Sequence, residues 1–325
     1  MQTVTLGATR LEVAPLAYGT WQFGGDWGPV DERAAIEAIQ HARSLGINFF
    51  DTAQAYGFGR SERLLGTALA ADLRSTRESV VIATKGGLRT DGDRLVRDAS
   101  PAWLRKGTEA SLEALGTDYL DLYQVHWPDP HTPIRETAAA LTELTREGLI
   151  RHVGVSNYTT GQIADFSSVL PVETVQPPYH LFRRDIETGL LPYAAARGIG
   201  VLAYGPLAHG LLGGTLTEAT AFAAGDWRGH SPAFTGKGFA RNLQVVAALS
   251  ALAARRGATI AQLAVAWVLA HPAVQVAIVG ARTPAHLTES LGALDLTLSQ
   301  ADLAEIDHIM AAAVPMGGPA PEGMT

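Results

Sequence analysis

Four residues of this chain could share one piece of chemistry. Asp51 ends the apolar run "NFFD", and Tyr56 follows in "TAQAYG". Lys85 closes a second apolar run, "VVIATK", and His126 closes a third, "YLDLYQVH". A free tyrosine, with a pKa of roughly 10, is a poor acid near neutrality until a cation stabilises its phenolate. A buried Lys85 ammonium would be that cation. A buried ammonium needs a counter-charge, and Asp51 could supply it. His126 could orient a carbonyl or share its proton. Such a group would protonate a carbonyl oxygen as hydride arrives at carbon, or run the reverse. Taken singly, each residue has an ordinary explanation: a helix cap, a solvated charge, a hydrogen-bonded scaffold histidine, a packed ring. Only their convergence on one face makes a site.

Convergence requires that these runs be strands of one sheet ending on the same side. Apolar runs at 16–19, 49–51, 80–84, 120–126, 153–156, 174–176, 200–204 and 276–279 predict eight strands. Helical patterns lie between them. "DERAAIEAIQHARSLG" starts on a candidate Asp31 cap and stops at Gly46. "SPAWLRKGTEASLEALG" has Ser100 as cap, Pro101 at the first helical position and Gly116 as stop. "TPIRETAAALTELTREG" and "DIETGLLPYAAARG" follow the same grammar. Eight strand–helix units with no linker predict an α/β chain, a single (β/α)8 TIM barrel over residues 1–312. In that architecture function sits at the C-terminal ends of the strands. The opening "VTLGATRLEVA" predicts an N-terminal β-hairpin. The longest irregular stretch, 205–241, is a loop after the seventh strand, of a length usually reserved for functional or mobile segments. Residues 313–325, rich in Pro and Gly, are expected to form a flexible tail.

Composition narrows the partners. The net charge of −7 and the lack of a dense basic cluster argue against nucleic acid. With no cysteine, disulfides and thiolate metal sites are excluded. No apolar stretch reaches transmembrane length, and the N-terminus lacks the pattern of a signal peptide, so a soluble, cytoplasmic protein is expected, a monomer by default and without a membrane partner. Three other chemistries fit less well. A Rossmann-type dehydrogenase needs a Gly-rich turn after its first strand, whereas Gly57-Phe58-Gly59 follows the second and is followed by Glu62. A metal-dependent hydrolase wants a His-x-His pair, which is absent; His126, Asp129 and His131 stand around Pro128 and Pro130 in what reads as a rigid loop. A Schiff-base aldolase using Lys85 would leave Tyr204, Gln176 and Arg282 without a role.

Nearly the whole chain resembles the aldo-keto reductases. The resemblance runs through "GINFFDTAQAYGFGRSERLLGTAL", "ATKGG", "YLDLYQVHWPD", "IRHVGVSNY", "VLAYGPLAHGLL" and "VAIVGARTPAHLTESLGAL". Asp51, Tyr56, Lys85 and His126 match the family's catalytic tetrad in type and spacing. The resemblance implies reversible reduction of an aldehyde or ketone by a nicotinamide cofactor, with Tyr56 as general acid, Lys85 and Asp51 tuning it, and His126 placing the carbonyl. It implies that Ser156, Asn157 and Gln176 bind the nicotinamide carboxamide and that Tyr204 stacks on the ring. Gly205, Pro206, Leu207, His209 and Gly210 would run along the pyrophosphate, with Gly205 where a serine is common. Gly19, Thr20 and Trp21 would lie beside cofactor and substrate. Gly280 and Arg282 match the turn that holds the adenosine phosphate, which suggests NADPH over NADH, with NADH still open. His286 and Glu289 match adenine contacts, although His286 stands where many relatives have Gln or Arg, and Ser290 where many have Asn. The long loop resembles the branch of general-stress reductases and potassium-channel β subunits, where it folds over the cofactor; here Arg228 and Lys237 read as exposed charges, or else as closing contacts. Trp21, Tyr56, Phe58, His126, Trp127 and Tyr158, with Trp227, could line an aromatic pocket for aldehydes, aromatic ketones or polycyclic alcohols, and a sugar also remains open. The alternative is an NADPH-binding regulatory subunit with little turnover. No metal is expected.

Overall fold

The computed structural model describes residues 1–25, 28–92, 94–223, 226–281 and 283–317. Eight parallel strands form a closed barrel: β1 (Leu16–Gly19), β2 (Phe49–Asp51), β3 (Val81–Gly86), β4 (Leu120–Val125), β5 (Ile150–Ser156), β6 (Thr174–Gln176), β7 (Gly200–Tyr204) and β8 (Val276–Gly280). Each strand pairs with the next in sequence, and β8 closes on β1. Every residue of β3 and β4 is buried. A parallel strand covered on both faces has no solvent-facing polar side, so it reads as a largely apolar run without strict alternation. That is why the sequence located all eight.

The strand ends differ from expectation at the positions that matter most. β3 starts at Val81 and continues to Gly86, so Lys85 lies inside the ladder and pairs in register with Gln124. β4 stops at Val125, and His126 is the first residue beyond it, its N–H still bonded to the Gly86 carbonyl at 2.9 Å. β5 begins earlier, at Ile150, and β8 reaches Gly280.

The helices obey the local chemistry. Glu32–Ser44 is capped by Asp31, whose side chain accepts from the Ala34 N–H. Pro101–Leu115 is capped by Ser100 and buries Leu104, Thr108, Ser111 and Leu115 on one face. Ile134–Arg146 follows. The segment expected as one helix from Asp185 is instead a 3-10 turn, Asp185–Thr188, and a short helix, Leu190–Ala195. Gly189 between them leaves helical geometry, and Pro192 has no N–H to continue the ladder. An antiparallel hairpin does precede the barrel, Val4–Thr5 with Glu12–Val13. A second hairpin, Leu88–Asp91 with Arg94–Arg97, follows β3 and was not expected. The irregular stretch after β7 is shorter than 205–241, because a helix, Gly236–Arg255, begins inside it.

Internal contacts group the chain into two compact units. The first comprises Met1–Pro177, Ile186–Leu202 and Ala273–Thr288; the second comprises Pro178–Asp185, Ala203–Pro272 and the segment beginning at Glu289. Among the described residues, no helix is long and apolar enough to cross a membrane.

Candidate active site

In the first unit, three neighbouring strands bring the four expected residues together. Asp51, Lys85, Tyr56 and His126 are all buried, and Lys85 is 1% exposed. The Lys85 ammonium donates to Asp51 Oδ1 at 2.6 Å and to the Thr52 carbonyl at 2.9 Å, and it lies 3.4 Å from the Tyr56 hydroxyl. Lys85 is therefore neutralised by one carboxylate while still facing the phenol. The charge has left water, so its field on Tyr56 is little screened.

His126 meets the edge of the Tyr56 ring at 5.8 Å between centroids. Burial first, and the Lys85 charge second, hold its pKa well below the usual imidazole value. It is therefore a neutral imidazole near pH 7, suited to orienting a carbonyl rather than delivering a proton. Its Nδ1 is buried with no hydrogen-bond partner. The Trp21 ring stacks against Tyr56 on another side, at 6.3 Å and 29°. The backbone after Tyr56 is pressed against the loop after β1. Gly57 has φ +64, and a Cβ there would lie 2.5 Å from the Gly24 carbonyl. Gly57→Ala is therefore expected to displace the tyrosine loop and lower kcat about tenfold with the fold retained; steady-state kinetics and circular dichroism check this, and an unchanged kcat would show that the loop yields elsewhere.

Ser156, Asn157 and Gln176 stand at the ends of β5 and β6. Ser156 Oγ donates to the Gln176 carbonyl at 2.8 Å. Asn157 sits in left-handed backbone, φ 63, and its Nδ2 donates to the His126 carbonyl at 3.1 Å. Gln176 Nε2 donates to Asp51 Oδ2 at 2.8 Å, a link that the sequence did not signal. Gly19 pairs with Asp51 on one side and Gly280 on the other. Thr20 is fully buried, with its hydroxyl donated to the Asp51 carbonyl at 3.2 Å. The Ala281 carbonyl beyond β8 accepts from Tyr18 Oη at 2.6 Å and from Gln22 Nε2 at 3.1 Å, and neither residue was singled out beforehand. Arg282 lies outside the described residues; His286 is exposed on the helix Pro284–Leu291.

The other aromatic candidates have varied settings. Trp127 is buried, with the Arg97 guanidinium 4.9 Å from its ring. Tyr158 is buried with its ring edge-on to Phe166 at 6.3 Å, and Phe58 is exposed. Asp129 serves its own loop: Oδ2 accepts from the Ala99 N–H and from Thr132 Oγ1, and Oδ1 accepts from the His131 N–H. Among the described residues, no cluster of three or more metal-ligating side chains exists.

In the second unit, Tyr204 ends β7, and the segment after it turns through left-handed backbone at Gly205, Ala208, His209 and Gly210. Arg228 is not an exposed charge. Its side chain is 17% exposed, pairs with Asp226 at 2.6 Å, donates to the His209 carbonyl at 3.1 Å and lies over the Phe222 ring. It was misread because its anchor is another part of the loop. Lys237 is exposed on the helix Gly236–Arg255. The His209 ring is edge-on to Trp227 at 4.9 Å, and burial first, then Arg183 and Arg228, push its pKa down to about 4. Glu289 is exposed, and its carbonyl accepts from Gln262 Nε2 at 2.9 Å.

Comparison with known proteins decides what this geometry belongs to. The sequence model of the Aldo/keto reductase family matches residues 15–311. The chain belongs to that family. It is an oxidoreductase built on a TIM barrel, and aldo-keto reductases use nicotinamide cofactors. It is 42% identical over 312 residues to the aldo-keto reductase YhdN of Bacillus subtilis, covering 95% of this chain and 94% of that one. It is 36% identical to the NADH-specific methylglyoxal reductase of Escherichia coli, over 93% of this chain and 96% of that one. Among solved structures, the glycerol dehydrogenase AKR11B4 from Gluconobacter oxydans superposes with a TM-score of 0.89 at 37% identity, covering 98% of each chain.

Proposed function

We propose that this aldo-keto reductase reduces an aldehyde or ketone to the alcohol, reversibly, with NADPH as the preferred cofactor, and that residues 1–312 act as one catalytic domain. The observation that carries this reading is the buried Asp51–Lys85 pair, with Lys85 3.4 Å from the Tyr56 hydroxyl. When bound, the reduced nicotinamide supplies a hydride to the carbonyl carbon. Tyr56 donates its hydroxyl proton to the carbonyl oxygen, and the nearby ammonium stabilises the phenolate left behind. Neutral His126, whose ring lies edge-on to Tyr56, holds the carbonyl by hydrogen bonding from a ring N–H. Solvent returns the proton to Tyr56 after the alcohol leaves.

The residues present fit a nicotinamide carboxamide. Ser156, Asn157 and Gln176 offer a hydroxyl and two amides on adjacent strand ends. Tyr204, Gly205, Pro206, Leu207, His209, Gly210, Gly280, Arg282, His286 and Glu289 are proposed as further cofactor contacts on the strength of the resemblance, and the aromatic residues Trp21, Phe58, Trp127 and Tyr158 as the substrate pocket. The bacterial relative named as NADH-specific makes the choice of cofactor a direct question.

The test is oxidation of NADPH and of NADH by the purified protein over a panel of aldehydes, including methylglyoxal, and ketones. Turnover that is faster with NADPH supports the proposal. Faster turnover with NADH corrects the cofactor and keeps the reaction. Tight NADPH binding with no turnover on any carbonyl would replace the reductase reading with a regulatory subunit.

A further inference from the structure

The Asp51 carboxylate has two oxygens to satisfy, and Lys85 takes only one. Oδ2 faces two amides: Gln176 Nε2 at 2.8 Å and Gln124 Nε2 at 3.4 Å. Gln176 Nε2 also lies 3.3 Å from Gln124 Oε1. The three side chains thus close a ring of contacts beneath the Lys85 ion pair. Gln124 is fully buried in β4, with the same strand parity as His126 and in register with Lys85 on β3. A glutamine buried inside a barrel strand is costly unless both ends of its amide are used.

The neighbouring strand leaves room for it. Gln124 pairs in register with Gly154 on β5. A Cβ at Gly154 would collide with Thr174 Oγ1 and come within 3.1 Å of Gln124 Cγ. The barrel interior therefore omits a side chain between Thr174 and the Gln124 stem.

We propose that Gln124 is a positioning residue for the tetrad: with Gln176, it clamps Asp51 Oδ2 so that Oδ1 stays on Lys85 and Lys85 stays on Tyr56. Without that clamp the carboxylate can turn about its last bond and draw the ammonium away from the phenol. The inference rests on the reductase reading above, and its test separates the two.

Gln124→Met keeps the length and removes the amide. It is expected to lower kcat about tenfold while the dissociation constant for NADPH stays within about twofold. Gln124→Glu keeps the shape and adds a titratable group. The ionisable groups facing it are Asp51 from β2, Lys85 from β3, and Tyr56 and His126 from the loops after β2 and β4; β5 and β6 present Gly154, Ser156, Thr174 and Gln176, all neutral. The new carboxyl, while protonated, still donates to Asp51; once ionised, it opposes the Tyr56 phenolate. The variant is therefore expected to approach the wild-type rate at acid pH and to fall away progressively as pH rises.

Ionisation of Tyr56 is read without turnover, as tyrosinate absorbance of each protein minus its Tyr56→Phe counterpart. Gln124→Glu should move that titration to higher pH by about one unit. Wild-type kcat in Gln124→Met, or an unmoved Tyr56 titration in Gln124→Glu, would overturn the inference. A loss that is equal at every pH in all variants, with weakened NADPH binding, would also overturn it by showing a structural role only. If the wild type reduces no carbonyl, the proposed function falls, and the Tyr56 titration still decides the part played by Gln124.

Discussion

Tyr56→Phe is expected to lower kcat for carbonyl reduction by about a thousandfold, equivalent to ~4 kcal/mol of barrier, with NADPH affinity within about twofold of wild type. The phenyl ring keeps the ring contacts with Trp21 and His126. What the variant loses is the hydroxyl beside Lys85 Nζ, and with it the proton. His126 cannot substitute, because burial and the Lys85 charge keep it neutral. Stopped-flow reduction at saturating cofactor, with binding followed by NADPH fluorescence, measures both quantities. A kcat within tenfold of wild type would mean that the proton comes from elsewhere and that the tetrad is only scaffold.

Lys85→Met should be as damaging to turnover and, unlike Tyr56→Phe, damaging to the fold. The ammonium is 1% exposed and bonded to Asp51 at 2.6 Å. Its removal leaves a buried carboxylate facing a thioether, at an expected cost of about 3–5 kcal/mol of stability. Asp51→Asn in the same chain should return most of that stability, because an amide needs no counter-charge, yet none of the activity. Urea unfolding gives the first number and steady-state kinetics the second. A double variant no more stable than Lys85→Met would show that the pair is not electrostatically coupled. Recovery of activity would show that the cation is dispensable to Tyr56.

Much of this was legible in the chain. The barrel strands are buried on both faces, so each appears as a short apolar run, and helix caps such as Asp31 and Ser100 are local hydrogen bonds that a local pattern encodes. Asp51, Lys85 and His126 stood out because each is polar at the end of an apolar run, and Tyr56 because it follows Asp51 by five residues. Gln124 had the same kind of signal, a glutamine two positions before His126 in a buried strand, and it went unnoticed because it sits within the run rather than at its end. Arg228 was read as an exposed charge or else a closing contact, and nothing in "GDWRGH" announces that its guanidinium turns back onto the His209 carbonyl.

By itself, then, the sequence determined the eight strands, most of the helix starts and the family, and it singled out Asp51, Tyr56, Lys85 and His126. The tertiary structure alone decided that Lys85 lies within its strand, that Asp51 shares itself between an ammonium and two amides, and that His126 is neutral. The reason is distance along the chain. Strand burial and capping are set by residues a few positions apart, whereas the Gln176–Asp51 bond joins residues 125 positions apart and the Lys85–Asp51 pair residues 34 apart. Such contacts depend on barrel register, and register is a property of the closed sheet that no single segment carries.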